Sequence, residues 1–263
     1  MKTPFRIIAL MTLAVSVALA GCGGTDDAGG VATQPPAATP TVDLAPTPIG
    51  PETVSRSIRL DPAIVTDADS LTVSAYLYDG LTRLDTSGQP QPALAVNWTV
   101  SDDGLDYVVE LRQGVTFHDG AAFNADVVLA NFNRWFDPAD PLHGAGAYAG
   151  WTETFLGFLG DVDAGGIPKS PFDGIEKQDA YTVILHLNRP YEALMANLAQ
   201  PYFFILDPAA LAASGDAYGA SAGTVNGTGA FVISSWTDAG LALSPNAAYW
   251  GGAPASGVQF GWK

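Results

Sequence analysis

Apolar and polar residues alternate on both sides of Ser101-Asp102-Asp103-Gly104: Trp98 and Val100 before it, Tyr107, Val109 and Leu111 after it. A period of two with a polar turn between predicts a β-hairpin closed by a loop. The same pattern predicts strands over Val54–Leu60, Leu81–Asp85 and Thr182–Leu187. It also pairs Ala230–Trp236 with Leu241–Ser244 about Asp238-Ala239-Gly240, and it gives Val258–Trp262 a last strand. Read as an unpaired final strand, that segment would leave a sheet edge exposed. Helical spacing takes over elsewhere. Asn124 caps a helix whose Val128, Phe132 and Trp135 share one face, and Asp126 sits in its first turn, where the macrodipole favours an anion. Asp69 or Ser70 begins a helix running to about Tyr78, Tyr191–Leu198 forms another, and Pro208 opens a short one to Ala213. Residues 137–172, rich in Gly, Ala and Pro with scattered aromatics, read as a long loop.

The first 53 residues follow neither period. Ile7–Ala20 is apolar apart from Thr12 and Ser16, and it follows Lys2 and Arg6. Fourteen helical residues span about 21 Å, short of a hydrocarbon core of roughly 30 Å. A basic start, a short apolar stretch and small residues at the exit make a secretory signal. Leu19-Ala20-Gly21-Cys22 matches a bacterial lipobox, so residues 1–21 are expected to be removed and Cys22 to carry lipid. It is the sole cysteine, so no internal disulfide competes for it. Residues 22–53 are Gly, Ala, Thr and Pro, with six prolines between Pro35 and Pro51. Such a segment buries too little surface to order itself and is expected to be a tether for a folded part over 54–263.

Charge narrows the partners. Without the signal the chain keeps 9 basic and 27 acidic residues, a net charge near −18. Nucleic acid is excluded, because affinity for it rests on neutralised phosphates. Catalytic signatures are missing as well. His118, His143 and His186 stand at no metal-ligand spacing, and no nucleophile elbow, Walker A loop or dinucleotide fingerprint occurs. No enzyme activity, cofactor or metal is therefore expected. His118 before Asp119-Gly120 reads as a turn or strand-end hydrogen-bonding residue, and His186 as solvent-facing on its strand.

Five segments in one order carry a resemblance. They are Tyr76-Leu77-Tyr78-Asp79-Gly80-Leu81; Pro92-Ala93-Leu94-Ala95 with Trp98 and Ser101–Gly104; Leu111–Gly120 with Asn124–Val128; Gly227-Thr228-Gly229-Ala230-Phe231; and Asn246 with Tyr249-Trp250-Gly251-Gly252 and Pro254. Together they resemble the extracellular solute-binding proteins, family 5, the peptide- and nickel-binding components of ABC importers. Ala230 stands where that family usually has proline. Most of these motifs read as scaffold, with Gly227–Gly229 expected near a cleft edge.

The resemblance implies a mixed α/β fold, the N-terminal part of lobe one of a type II periplasmic-binding-protein architecture. The second lobe is absent from the sequence, so the chain reads as a truncated piece whose lobe alone would bind solute feebly. It further implies a monomer on the outer side of the cell membrane, anchored by lipid, that grips a peptide or small solute between lobes and delivers it to permease subunits. By similarity, the lobe-one side of the cleft falls at Asp67, Asp69 and Leu71, at Tyr148 and Trp151, and at Gln200, Tyr202 and Phe203. Two other classes stand beside this reading: a surface adhesion or sensory lipoprotein built on the same lobe, and an envelope hydrolase, for which the sequence offers no nucleophile with a partner.

Overall fold

The structure, a computed structural model, describes residues 52–263; the signal, Cys22 and most of the tether lie outside the described residues. Among the described residues ten strands form three sheets. One sheet contains β1 (Glu52–Val54), β8 (Phe231–Thr237), β9 (Gly240–Pro245) and β10 (Val258–Trp262), in the order β1-β10-β9-β8. Two strands, β2 (Thr82–Leu84) and β3 (Pro90–Pro92), make a ribbon. The other large sheet runs β4-β5-β7-β6, from β4 (Ala95–Val100), β5 (Asp106–Leu111), β6 (Phe172–Asp179) and β7 (Thr182–Leu187).

The alternation read from the sequence sets which face of each strand is buried. Val183, Leu185 and Leu187 of β7 point inward with Tyr107, Val109 and Leu111 of β5, and antiparallel pairing opposes Tyr107 to Leu185. The helix α2 (Ala125–Phe136) covers them, with the Asn124 side chain accepting from the N–H groups of Asp126 and Val127 as a cap should. Phe132, Trp135 and Phe136 then meet Phe172, Trp151 and Phe203 at centroid distances of 5.0–5.8 Å. The second core lies under the first sheet, where Tyr76 of α1 (Ala68–Leu77) stands edge-on to Phe231 and Phe260 at 5.4 and 5.6 Å.

Five expectations need correction, among them the helix expected over Tyr191–Leu198, which forms only over Leu194–Asn197. β10 is no edge, because β1 pairs with it in parallel and β9 antiparallel; β1 and β8 are the edges. The strand expected over Val54–Leu60 stops at Val54, and Ile58 and Leu60 are instead single anchors into the second core. The helix α1 starts earlier than expected, with Asp67 accepting from the Ser70 N–H, while Asp69 lies inside its first turn. The stretch read as loop holds α3 (Ala149–Phe155). Its start lacks a side-chain cap and Tyr148 enters it in a left-handed conformation, so no capping signal marked it. Two shorter helices complete the set, α4 (Leu194–Asn197) and α5 (Pro208–Ser214), with a 3₁₀ turn at Pro201–Phe203 between them.

Candidate functional site

The segments that carry the family resemblance meet in space around one carboxylate. Asp79, just after α1, accepts hydrogen bonds from Thr228 Oγ1 at 2.8 Å, Tyr249 Oη at 3.0 Å and Trp250 Nε1 at 3.0 Å. Burial pushes its carboxyl above the ordinary range; those three donors and the nearby Arg112 guanidinium act against that push. Arg112 lies 4.3 Å over the Trp250 ring and donates through Nε to the Ala93 carbonyl, tying in the second segment. His118 ties in the third. Its Nδ1 faces the Gly227 N–H at 3.4 Å and its Nε2 faces the Gly229 carbonyl at 3.2 Å, an arrangement that places the proton on Nε2.

Gly227–Gly229 is therefore occupied by the scaffold itself. Gly229 N–H donates to the Leu77 carbonyl, and its own carbonyl accepts from Asn246 Nδ2 as well as from His118. A Cβ on Gly227 would lie 2.0 Å from the Leu77 oxygen, and one on Gly229 would lie 2.4 Å from the Leu77 carbonyl carbon. Only glycine allows that approach.

Beside this junction α1 packs against the turn at Pro201–Phe203, and the two form a wall. Ala75, Asp79, Ala199, Phe204 and Trp250 line a depression of about 300 Å³ in it. Of the sequence-derived site residues, Asp67 is exposed and Asp69, Leu71 of α1, Gln200 and Tyr202 keep part of their surface open. Tyr202 lies against Gly150 so closely that a Cβ there would stand 2.2 Å from the ring, which joins the α3 loop to the wall. Trp151 and Phe203 are each 1% exposed and stack within the first core, with Trp151 Nε1 donating to the Gly157 carbonyl. They stiffen the wall from behind and present no surface of their own.

Tyr148 is also buried, stacked 4.2 Å from the His143 ring with its hydroxyl donating to the His143 carbonyl. Its φ of 46° is costly for a side chain other than glycine, about 1 kcal/mol or more. The Asp67 side chain is engaged in capping α1. Asp69 turns toward the sheet, where Lys263 Nζ and the Ser55 N–H hold its carboxyl below the ordinary range. Sequence reasoning missed Ile64, which presses on Gly146 and brings the chain before α1 against the aromatic loop. It missed Phe204 and Ala199 too, because nothing in their local pattern marks an open surface.

Among the described residues no group of three or more His, Cys, Asp or Glu side chains could hold a metal ion, and no helix is long and apolar enough to cross a membrane.

A model of the bacterial extracellular solute-binding proteins, family 5 Middle, matches residues 89–259. The glutathione-binding protein GsiB of Escherichia coli K12 is 33% identical over 198 residues, which cover 74% of this chain and 34% of the relative. The chain thus spans about a third of the length of the curated relatives it matches. Among solved structures, the periplasmic binding protein DppA from Helicobacter pylori in complex with the peptide STSA is 29% identical, with a TM-score of 0.66 over 81% of this chain and 41% of that one. HbpA2 from Haemophilus parasuis gives 27% and 0.70, over 81% of this chain and 42% of its own. The fold is thereby part of the type II periplasmic-binding-protein architecture, mixed α/β as the sequence implied. With the family model covering well over half of its residues, the chain belongs to the bacterial extracellular solute-binding proteins, family 5.

Proposed function

We propose that this chain is the solute-binding component of an ABC importer, held at the outer face of the cell membrane by lipid on Cys22. It works as a monomer and takes a short peptide or a peptide-like solute such as glutathione. The observation that carries the reading is the junction at Asp79, where the family's segments converge just after α1, the Ile205 N–H donates to the Asp79 carbonyl, and α1 packs against the Pro201–Phe203 turn. The names of the relatives, a glutathione-binding protein and a peptide-loaded one, support the solute class. Solute that touches the wall and an opposing lobe together only in the shut state would shift the hinge equilibrium toward closure. Asp67, Asp69, Leu71, Tyr148, Trp151, Gln200, Tyr202 and Phe203 belong to or brace the lobe-one side. The closed form would then be presented to the permease.

Uptake of labelled glutathione and of labelled di- and tetrapeptides, compared between cells with and without the gene, tests the transport reading. Loss of the gene should cut uptake of at least one of these solutes about tenfold. Unchanged uptake of every one would overturn the reading. The anchor has its own test: Cys22→Ser should move the protein from the membrane to the soluble fraction, and retention in the membrane would refute lipid attachment there.

A further inference from the structure

The tip of the β4–β5 hairpin and the segment Pro190–Met195 enclose a groove of about 460 Å³. Its apolar lining includes Trp98, Tyr107 and Tyr191, and its acidic residues are Asp102, Asp103 and Glu192, with no Lys or Arg among the lining side chains. The walls are held in place without a ligand. Tyr107 Oη donates to the Tyr191 carbonyl, and Tyr191 Oη donates to the Thr154 carbonyl while accepting from Asn197 Nδ2. Gly104, at φ 74°, brings the hairpin turn against Pro190, where a Cβ would meet the ring at 3.4 Å.

Turn chemistry accounts for three of the four residues in Ser101-Asp102-Asp103-Gly104. Ser101 Oγ accepts from the Leu105 and Asp106 N–H groups, Asp103 Oδ1 accepts from Ser101 Oγ and the Leu105 N–H, and Gly104 supplies the positive φ. Asp102 makes no hydrogen bond or ion pair among the described residues, and neither does the exposed Glu192 across the groove. Glu192 is near enough for its charge, after burial, to push the Tyr107 hydroxyl upward. Trp98 is half-buried, and its Nε1 likewise has no partner among the described residues.

An aromatic wall with two uncommitted carboxylates at its rim suits one kind of occupant. A guanidinium or alkylammonium stacks its face or its stem on the rings and sets its charge between the acids. We infer that this groove docks an arginine- or lysine-bearing segment of a partner protein, through residues none of which lines the depression beside α1. The charge complementarity selects that partner: an acidic segment would meet Asp102, Asp103 and Glu192 directly, and a purely apolar one would leave Asp102 and Glu192 unpaired. The inference does not depend on the transport reading.

The probe is the blocked tetrapeptide acetyl-Gly-Arg-Arg-Gly-amide, added to the intact protein while the Trp98 indole N–H resonance, assigned by its loss in Trp98→Phe, is followed by NMR. Saturable movement of that resonance is expected, weakened about tenfold or more in Asp102→Asn/Glu192→Gln and weakened further as salt is raised. Both positions are solvated, so the variant should keep the fold, which its unperturbed remaining spectrum would establish. No movement at millimolar peptide, or movement equal in the variant, overturns the inference. So does equal binding of the neutral peptide acetyl-Gly-Gln-Gln-Gly-amide. Equal binding of free guanidinium ion also overturns it, since the groove would then be a small-cation site rather than a docking surface.

Discussion

Arg134 and Asp61 face each other inside the protein, Nη1 to Oδ1 at 3.2 Å and Nη2 to Oδ2 at 2.5 Å, with side chains only 4% and 3% exposed. The pair joins α2 to the chain ahead of α1, and Arg134 also donates through Nε to the Leu142 carbonyl. A parallel two-bond geometry is the strongest form such a pair takes. Its net worth is another matter, because both charges have left water. What is costly is removing one partner alone. Arg134→Ala should lower unfolding free energy by about 3–5 kcal/mol, since Asp61 is left buried and unpaired. The apolar double change Asp61→Leu/Arg134→Met should cost less than Arg134→Ala. Urea unfolding of the parent and the two variants checks this, and a double variant as unstable as Arg134→Ala, or more so, would contradict it.

Acid should act through His118. Burial holds its imidazole below the ordinary histidine value, against the opposing effects of the Gly229 carbonyl and Asp119. The folded protein therefore resists protonation that the unfolded chain accepts. Its contribution to stability is complete above about pH 6.5, the unfolded value, and is lost as pH falls below that toward the folded value. Geometry agrees, because a proton on Nδ1 would confront the Gly227 N–H. Thermal melts between pH 7.5 and 5 should show a fall in Tm that shrinks in His118→Gln. The same fall in both proteins would clear His118 of the effect.

The two glycines beside Leu77 make a sharper test of the junction. Gly227→Ala or Gly229→Ala forces a Cβ into peptide backbone, which cannot rotate away as a side chain can. Each should lose on the order of 3 kcal/mol by denaturant midpoint. Gly223→Ala, with open space around the added carbon and an ordinary φ, should stay within about 0.5 kcal/mol of the parent. Equal stability of all three variants would mean that Leu77 and Gly229 are not packed as described.

Much of this architecture could be read from residue order. Thr182–Leu187 and Val258–Trp262 are strands over their whole expected lengths, since alternation there coincides with one buried face. Asn124 announces α2 because its side chain does what an N-cap does. The scaffold role expected for Tyr249 and Trp250 is visible in their bonds to Asp79, but Asp79 itself gave no sign from its neighbours in sequence. Its three donors come from positions 149 to 171 residues away, and no local pattern encodes such a meeting. The helix expected over Tyr191–Leu198 shrinks to Leu194–Asn197, with Tyr191 in a turn closed by the Leu194 N–H and its hydroxyl bonded to Thr154 and Asn197. The eight cleft residues taken from resemblance came as positions without depth. Similarity can place Trp151 and Tyr202 in the same region, but only the packing separates a ring inside the core from a ring at its surface.

That separation is itself testable. Trp151 fills the first core among Trp135, Phe155, Phe172 and Phe203, so Trp151→Ala should cost about 3–5 kcal/mol in stability. Tyr202 keeps one side open and rests the other on Gly150, so Tyr202→Ala should cost much less and leave the spectrum of the folded protein in place. Binding should divide the other way. In a two-lobed relative with the matching ring, calorimetric titration with glutathione should show the Tyr202→Ala equivalent weakened about tenfold, since a truncated ring removes contact area from the wall while leaving the buried Phe203 in place. If that variant binds as its parent does, the solute lies elsewhere on the lobe, and the depression lined by Ala75, Phe204 and Trp250 becomes the next place to probe.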